Sequence, residues 1–101
     1  MEKYKHITEM EIILDEHQQK LEELNRLLDF FEQHHEEYER LVKYYYSEQR
    51  SKDLEDEEKH LIPETLKRGV LSEDGIYNFM LDHYDTGVRM METALKMIKA
   101  R

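Results

Sequence analysis

The stretch ITEMEIILDEHQQKLEELNRLLDFF, residues 7–31, decides the fold class of this chain. Its apolar residues recur at alternating steps of three and four, which is the spacing of one face of an α-helix. Two heptad columns carry the pattern onward: Ile7, Leu14, Leu21, Leu28, His35 and Val42 beside Met10, His17, Leu24, Phe31, Tyr38 and Tyr45. Glutamates fill the opposite face, so the segment is predicted to be an amphipathic helix that packs in a bundle.

The residues that break helices are confined to the second half of the chain. The only proline is Pro63 and the first glycine is Gly69, so the 62 residues before Pro63 contain neither. These two residue types destabilise a helix interior most. Residues 61–72, which we call the elbow, are therefore predicted to be irregular. Pro63 is expected to open one helical turn there, and Gly69 to end it in the left-handed conformation.

After the elbow, Ser72 is predicted to cap a final helix of about residues 73–99, because its hydroxyl can accept a hydrogen bond from a free amide. The apolar residues of this helix again alternate steps of three and four: Tyr77, Leu81, Tyr84, Val88, Met91, Leu95 and Ile98. Residues 1–101 are thus predicted to form a single all-α domain, an antiparallel bundle of three main helices. A fourth helix, for which Ser47 is the predicted N-cap, is added if the charged residues 48–60 also fold.

The length of the N-terminal helix leaves its course open between two alternatives. A helix unbroken from residue 3 to residue 46 would be about 65 Å long. A compact domain of this size is only about 30–35 Å across. Either the chain turns near residues 33–36, or the helix stays straight and needs a partner chain. The unbroken apolar stripe favours the straight helix, but the geometry favours the turn, which we expect.

The charge and the cysteine content exclude several classes of function. The chain has 24 acidic and 15 basic residues, a formal net charge of −9, and residues 1–40 hold 12 of the acids but only 5 of the bases. Such a surface repels phosphate backbones, so we expect no nucleic acid partner. No apolar run approaches the ~20 residues that cross a bilayer, and no signal peptide is present, so we expect a cytoplasmic protein without a membrane partner. The absence of cysteine removes disulfides and thiolate chemistry.

Residues 66–78, LKRGVLSEDGIYN, resemble the signature of a small bacterial family, domain of unknown function 4298. The Glu/Leu-rich N-terminal helix, the aromatic-Ser-Glu step at residues 45–48 and the acidic run before Pro63 are similar as well. The resemblance therefore covers essentially the whole chain, although only residues 66–78 are distinctive. It implies a small, helical, intracellular bacterial protein, and no catalytic residue comes with it.

Two Glu-x-x-His matches raise the alternative of a metal site. Helical di-metal carboxylate proteins use this spacing on two of their helices. The chain contains it at Glu32–His35 and again at Glu57–His60. Glu32, His35 and His60 would be the ligands of such a site, whereas the favoured interpretation is a protein without a cofactor. Because a phosphate-binding glycine loop and a nucleophile elbow are also missing from the sequence, we do not expect an enzyme.

Surplus aromatic residues give the most specific functional prediction. Adjacent aromatics cannot all face one core, so some are expected at a protein interface: Phe30, Tyr38, Tyr44, Tyr45, Tyr46 and Phe79. The sequence therefore favours a non-catalytic interaction module that self-associates into a homodimer or binds an unknown protein. The alternatives are the metal-binding bundle and an acidic decoy that binds a basic protein.

Overall fold

The computed structural model describes residues 2–101, which form four α-helices and no strand. The helices are α1 (Lys5–Gln33), α2 (His35–Tyr45), α3 (Glu48–Glu58) and α4 (Gly75–Lys99), with short 3-10 helices at Glu2–Tyr4 and Gly69–Leu71. The predicted all-α fold class is confirmed, and the charged segment after Ser47 does fold as a helix. The chain groups into two compact units, whose boundary in the sequence falls between Glu37 and Tyr38, and each is described by itself.

In the first unit, α1 leaves its apolar stripe open. Ile7, Leu14 and Leu21 each expose about half of their surface, at 51%, 49% and 49%. No described residue of α1 is buried. A polar member of the stripe, His17, is exposed too, and its Nδ1 lies 2.8 Å from the carbonyl oxygen of Ile13. The heptad pattern therefore predicted the helix correctly, but the apolar face that it predicted to pack in a bundle is exposed.

A single residue, His34, separates α1 from α2. Its backbone leaves the helical conformation, with φ −109° and ψ 14°, although its amide still donates to the Phe30 carbonyl at 2.9 Å. The amide of Glu37 then donates to the His34 carbonyl at 3.0 Å. The imidazole stacks on the Phe30 ring, with centroids 4.5 Å apart, and its Nδ1 lies 3.0 Å from Glu37 Oε2. The long helix is thus interrupted inside the predicted range of residues 33–36.

In the second unit, side chains and backbone define both ends of α3. Ser47 is the N-cap: its hydroxyl accepts from the Arg50 amide at 3.1 Å and donates to the Tyr44 carbonyl at 2.7 Å. At the other end His60 has φ 57°, the one positive φ among the described residues other than glycine. Its amide donates to the Glu57 carbonyl at 3.0 Å, and the next amide, of Leu61, donates to Asp56 at 2.9 Å. This pair of bonds is a Schellman motif, in which His60 stands where glycine is usual.

Of the local predictions for the elbow, one holds and two are wrong in detail. Pro63 does open a single turn, in which its carbonyl accepts a hydrogen bond from the Leu66 amide at 3.0 Å. Gly69 is not left-handed, since no described glycine has a positive φ, and it begins a 3-10 helix instead. The last helix starts at Gly75 rather than Glu73. The common reason is that a 3-10 turn, which the pattern did not indicate, occupies the residues before α4.

The buried part of α4 is not on the predicted apolar stripe but on the face next to it. Ile76, with 4% of its surface exposed, is the one buried residue among residues 2–101. It lies beside the predicted stripe, on the face that also carries Phe79 and His83. The predicted stripe itself is open, and Met91 and Ile98 expose 75% and 74% of their surface. We call this open stripe of seven residues, Tyr77 to Ile98, the outer face of α4.

Candidate functional site

An apolar groove lies where α2, the elbow and α4 meet. Its volume is about 370 Å³. The apolar side chains along it are Leu41, Val70, Ile76 and Phe79. Two glycines, Gly69 and Gly75, give it bare backbone, and Lys67 is its one charged lining residue. The groove can therefore receive an apolar group.

Ser72 holds the elbow side of this groove against the start of α4. Its hydroxyl donates to the Gly69 carbonyl at 2.8 Å and accepts from the Gly75 amide at 3.1 Å. The N-cap position proper belongs to Asp74, whose side chain makes no cap bond. A Cβ on Gly75 would meet the Ser72 hydroxyl, and would lie 2.8 Å from the Gly69 carbonyl oxygen. Only a glycine fits between these groups, so the turn and the helix start are mutually fixed.

Arg50 ties the first turn of α3 to the elbow. Its Nε donates to the Val70 carbonyl and its Nη2 to the Ser72 carbonyl, both at 3.2 Å. The guanidinium also lies over the Tyr45 ring, 4.8 Å from its centroid. A guanidinium has several donors in one plane, so one side chain can satisfy two carbonyls that would otherwise bond only to water. Arg50 thereby positions one wall of the groove.

Arg68 makes a second, looser connection between α3 and the elbow. Its Nε lies 3.8 Å from Glu57 Oε1, and its Nη1 donates to the Ile62 carbonyl at 3.5 Å. Both distances are at the long end for such contacts, so each contributes little by itself. With this connection, each end of α3 carries one link to the elbow.

A hydrogen-bonded carboxylate joins α2 to α3. Tyr44 donates its hydroxyl to Asp53 Oδ2 at 2.6 Å, and the Gln49 amide donates to Oδ1 at 2.8 Å. Burial, together with the adjacent carboxylate, raises the pKa of Tyr44 to about 12. The two donated bonds stabilise the ionised form of Asp53, first of all the bond from Tyr44, and lower the pKa of its carboxyl. The pair braces the corner between the helices.

Ring stacking connects α2 with α4 next to the groove. Tyr38 and His83 lie face to face, with centroids 3.7 Å apart and planes at 6°. Phe79 approaches the Tyr38 ring edge-on at 6.0 Å. Tyr38 and Phe79 were predicted as interface residues, but the structure uses both within the second unit. Phe79 still exposes part of its surface.

The other aromatic candidates divide between internal contacts and open surface. Tyr44 and Tyr45 are half-buried and engaged by Asp53 and Arg50. Tyr46 exposes 71% of its surface. In the first unit Phe30 is exposed, lies edge-on to Phe31 and stacks on His34. Of the six candidates, Phe30, Tyr46 and Phe79 are exposed, whereas the other three are half-buried.

The metal hypothesis gains no support from the part of the chain that the structure describes. Residues 2–101 contain no group of three or more His, Asp or Glu side chains placed to hold an ion. His60 has a backbone role instead, since it ends α3 in the left-handed conformation. Glu32 and His35 lie on either side of the interruption at His34, on an exposed surface.

The residues that sequence analysis missed are Arg50, Gln49 and Asp53. All three lie in the charged segment of α3, which has few apolar residues and no distinctive spacing. The partners of Arg50 are backbone carbonyls, which are the same at every position and leave no signal in a sequence. The only available hint was Ser47, whose predicted capping role fixes where α3 begins and hence which way Arg50 points.

The fold and the site of residues 2–101 together define an all-α protein whose main surface features are an apolar groove and open apolar helix faces. The chain belongs to the family described as Domain of unknown function (DUF4298), whose model matches residues 7–93. No curated protein and no solved structure matches the chain. None of the helices within residues 2–101 has both the length and the apolar character to cross a bilayer.

Proposed function

We propose that this protein is a non-catalytic interaction module that associates with a second copy of itself. One observation carries the proposal: the described residues bury a single side chain, Ile76, while the stripes of α1 and α4 remain open. Fully burying one leucine, isoleucine or methionine contributes about 1.5–3 kcal/mol. Two long helices with open stripes therefore hold a large unrealised gain, which association would supply.

The residues that line the groove also favour association over catalysis. The groove offers apolar side chains and one lysine, and no acid–base pair or nucleophile lines it. Apolar surface that is continuous along a helix is characteristic of helix–helix interfaces. The antiparallel bundle predicted from the sequence would then form between copies, with helices of both chains around a shared core. A bacterial, cytoplasmic setting belongs to this proposal, because the family resemblance implies a bacterial protein and the cysteine-free sequence fits a reducing compartment.

Light scattering on tag-free protein over a dilution series tests the proposal. The chain mass is 12.5 kDa, so a dimer is expected at twice that mass, dissociating on dilution. The variant Leu95→Glu, on the outer face of α4, should shift the equilibrium toward monomer. Thr93→Glu introduces the same charge on the same helix outside that stripe and serves as the matched control. A mass of one chain at every concentration would refute self-association.

A further inference from the structure

The outer face of α4 carries a row of charges beside its apolar stripe. The apolar positions used here are Leu81, Tyr84, Val88, Met91, Leu95 and Ile98, and each is followed directly by a charged residue: Asp82, Asp85, Arg89, Glu92, Lys96 and Lys99. The apolar side chains are all exposed. Because the two rows share steps of three and four, they run side by side along the helix.

The order of the charges is the informative feature. Read from the start of the helix it is minus, minus, plus, minus, plus, plus. Read backwards with every sign inverted, it is the same. A row with this property is complementary to a second copy of itself when the two helices run in opposite directions. In a parallel pair, the two rows would instead lie on opposite sides of the interface and could not pair with each other.

The apolar stripe has a matching register. In an antiparallel pair, Val88 packs against Met91 of a second copy at the centre, and Leu81 against Ile98 at each end. The same alignment places Asp82 near Lys99, Asp85 near Lys96 and Arg89 near Glu92, each pair being formed twice by symmetry. Residues 81–98 span about 26 Å of helix at 1.5 Å per residue. Apolar packing and charge therefore select one arrangement.

From this agreement we infer that the outer face of α4 is an antiparallel, two-fold symmetric docking surface for the same face of a second copy. The inference rests on the proposed self-association and names the surface that performs it. A two-fold interface uses one patch on both chains, so that patch has to be self-complementary. The apolar residues supply the attraction, and the charge order fixes the direction of the pair.

Charge reversal at the two ends of the row tests the inference. The variant Lys96→Glu with Lys99→Glu puts like charges in the four outer pairs, as does Asp82→Lys with Asp85→Lys. Each should raise the dimer dissociation constant about 100-fold at low salt, and less in high salt, where exposed charges are screened. The variant with all four changes should dimerise like the original chain. An equimolar mixture of the two double variants should form a mixed dimer.

The matched control for the two lysine reversals is Lys43→Glu with Lys52→Glu, which makes the same change in net charge at exposed positions on α2 and α3. Circular dichroism of every variant checks that it stays helical. If the unaltered chain dimerises and the reversals leave its dissociation constant unchanged, the inference is overturned but self-association stands. If the double variants dissociate the dimer and the variant with all four changes does not restore it, the inference is overturned as well. A chain that is monomeric throughout refutes both proposals.

Discussion

Replacing Arg50 by alanine should release the elbow without unfolding the helices. The side chain donates to the Val70 and Ser72 carbonyls and lies over the Tyr45 ring. Alanine is a good helix former, so α3 itself should persist. What is lost is the connection that positions the 3-10 turn and one wall of the groove. We therefore expect a local effect, confined to the elbow.

The size of the effect follows from the three contacts. Each hydrogen bond from the guanidinium contributes at most about 1 kcal/mol here, below the 1.5–3 kcal/mol of well-shielded charged bonds, because the site is exposed. The contact with the Tyr45 ring adds about 0.5 kcal/mol. The total of roughly 2 kcal/mol corresponds to a 30-fold rise in the open population of the elbow, since 1.4 kcal/mol is a factor of ten.

Native-state trypsin digestion measures this opening directly, because Lys67 and Arg68 both lie in the elbow. When reclosing is faster than cleavage, the cleavage rate follows the open population. Cutting after these residues should therefore accelerate about 30-fold in Arg50→Ala. Lys52→Ala is the matched control, because it also removes one trypsin site from an exposed position of α3. The variant Arg50→Lys keeps the charge but not the paired donors, and should fall between the two. An unchanged rate of elbow cleavage in Arg50→Ala would show that the elbow holds its position without this residue.

Three further predictions concern single residues of the second unit. Gly75→Ala should destabilise the fold by about 1–3 kcal/mol, because its Cβ would lie 2.8 Å from a backbone oxygen. Gly87→Ala, with open space around it, should instead stabilise α4 by about 1 kcal/mol. Urea unfolding at fixed protein concentration measures both effects. His60→Gly should stabilise the fold by about 0.5–1 kcal/mol, because glycine adopts the left-handed conformation without the steric penalty of a Cβ, and the midpoint of urea unfolding should rise. Because the pKa of the Tyr44 hydroxyl is raised to about 12, its bond to Asp53 stabilises the fold fully below pH 10 and is lost as the pH rises toward 12. The lowered pKa of the Asp53 carboxyl adds stability at neutral pH. That stability is lost on acidification, once the pH falls below about 4 toward the lowered pKa. Both pH dependences should weaken in Tyr44→Phe, as followed by thermal melts across the pH range.

Each of these predictions has a distinct contrary outcome. Equal effects of alanine at Gly75 and Gly87 would mean that helix propensity, and not the contact with the elbow, governs both positions. A lower midpoint for His60→Gly would mean that its imidazole makes a contact worth more than the backbone strain. Identical pH profiles for the original chain and Tyr44→Phe would exclude the bond to Asp53 as a source of stability.

The patterns that operate within a few residues were legible in the sequence. The three- and four-residue steps predicted the long N-terminal helix and the last helix, and Ser47 marked the start of α3. These features depend on side-chain periodicity and on local hydrogen bonds, which a sequence contains directly. The length argument predicted that the chain turns back near residues 33–36. The structure has a one-residue break in the helix at His34, inside that range, and the turn back of the chain stays a prediction.

Local patterns did not predict which face of α4 is covered. Two apolar stripes lie side by side on this helix, and helical periodicity fits both equally well. The choice depends on Ile76, which the elbow places in the groove, and the elbow in turn depends on carbonyl bonds from Arg50. Such bonds join positions 20 and 22 residues apart and use backbone atoms that every residue has. By itself, then, the sequence determined the helices, their approximate ends and the charge order of α4. Only the tertiary structure decided which apolar face was covered, because that choice depends on contacts between distant residues rather than on local periodicity.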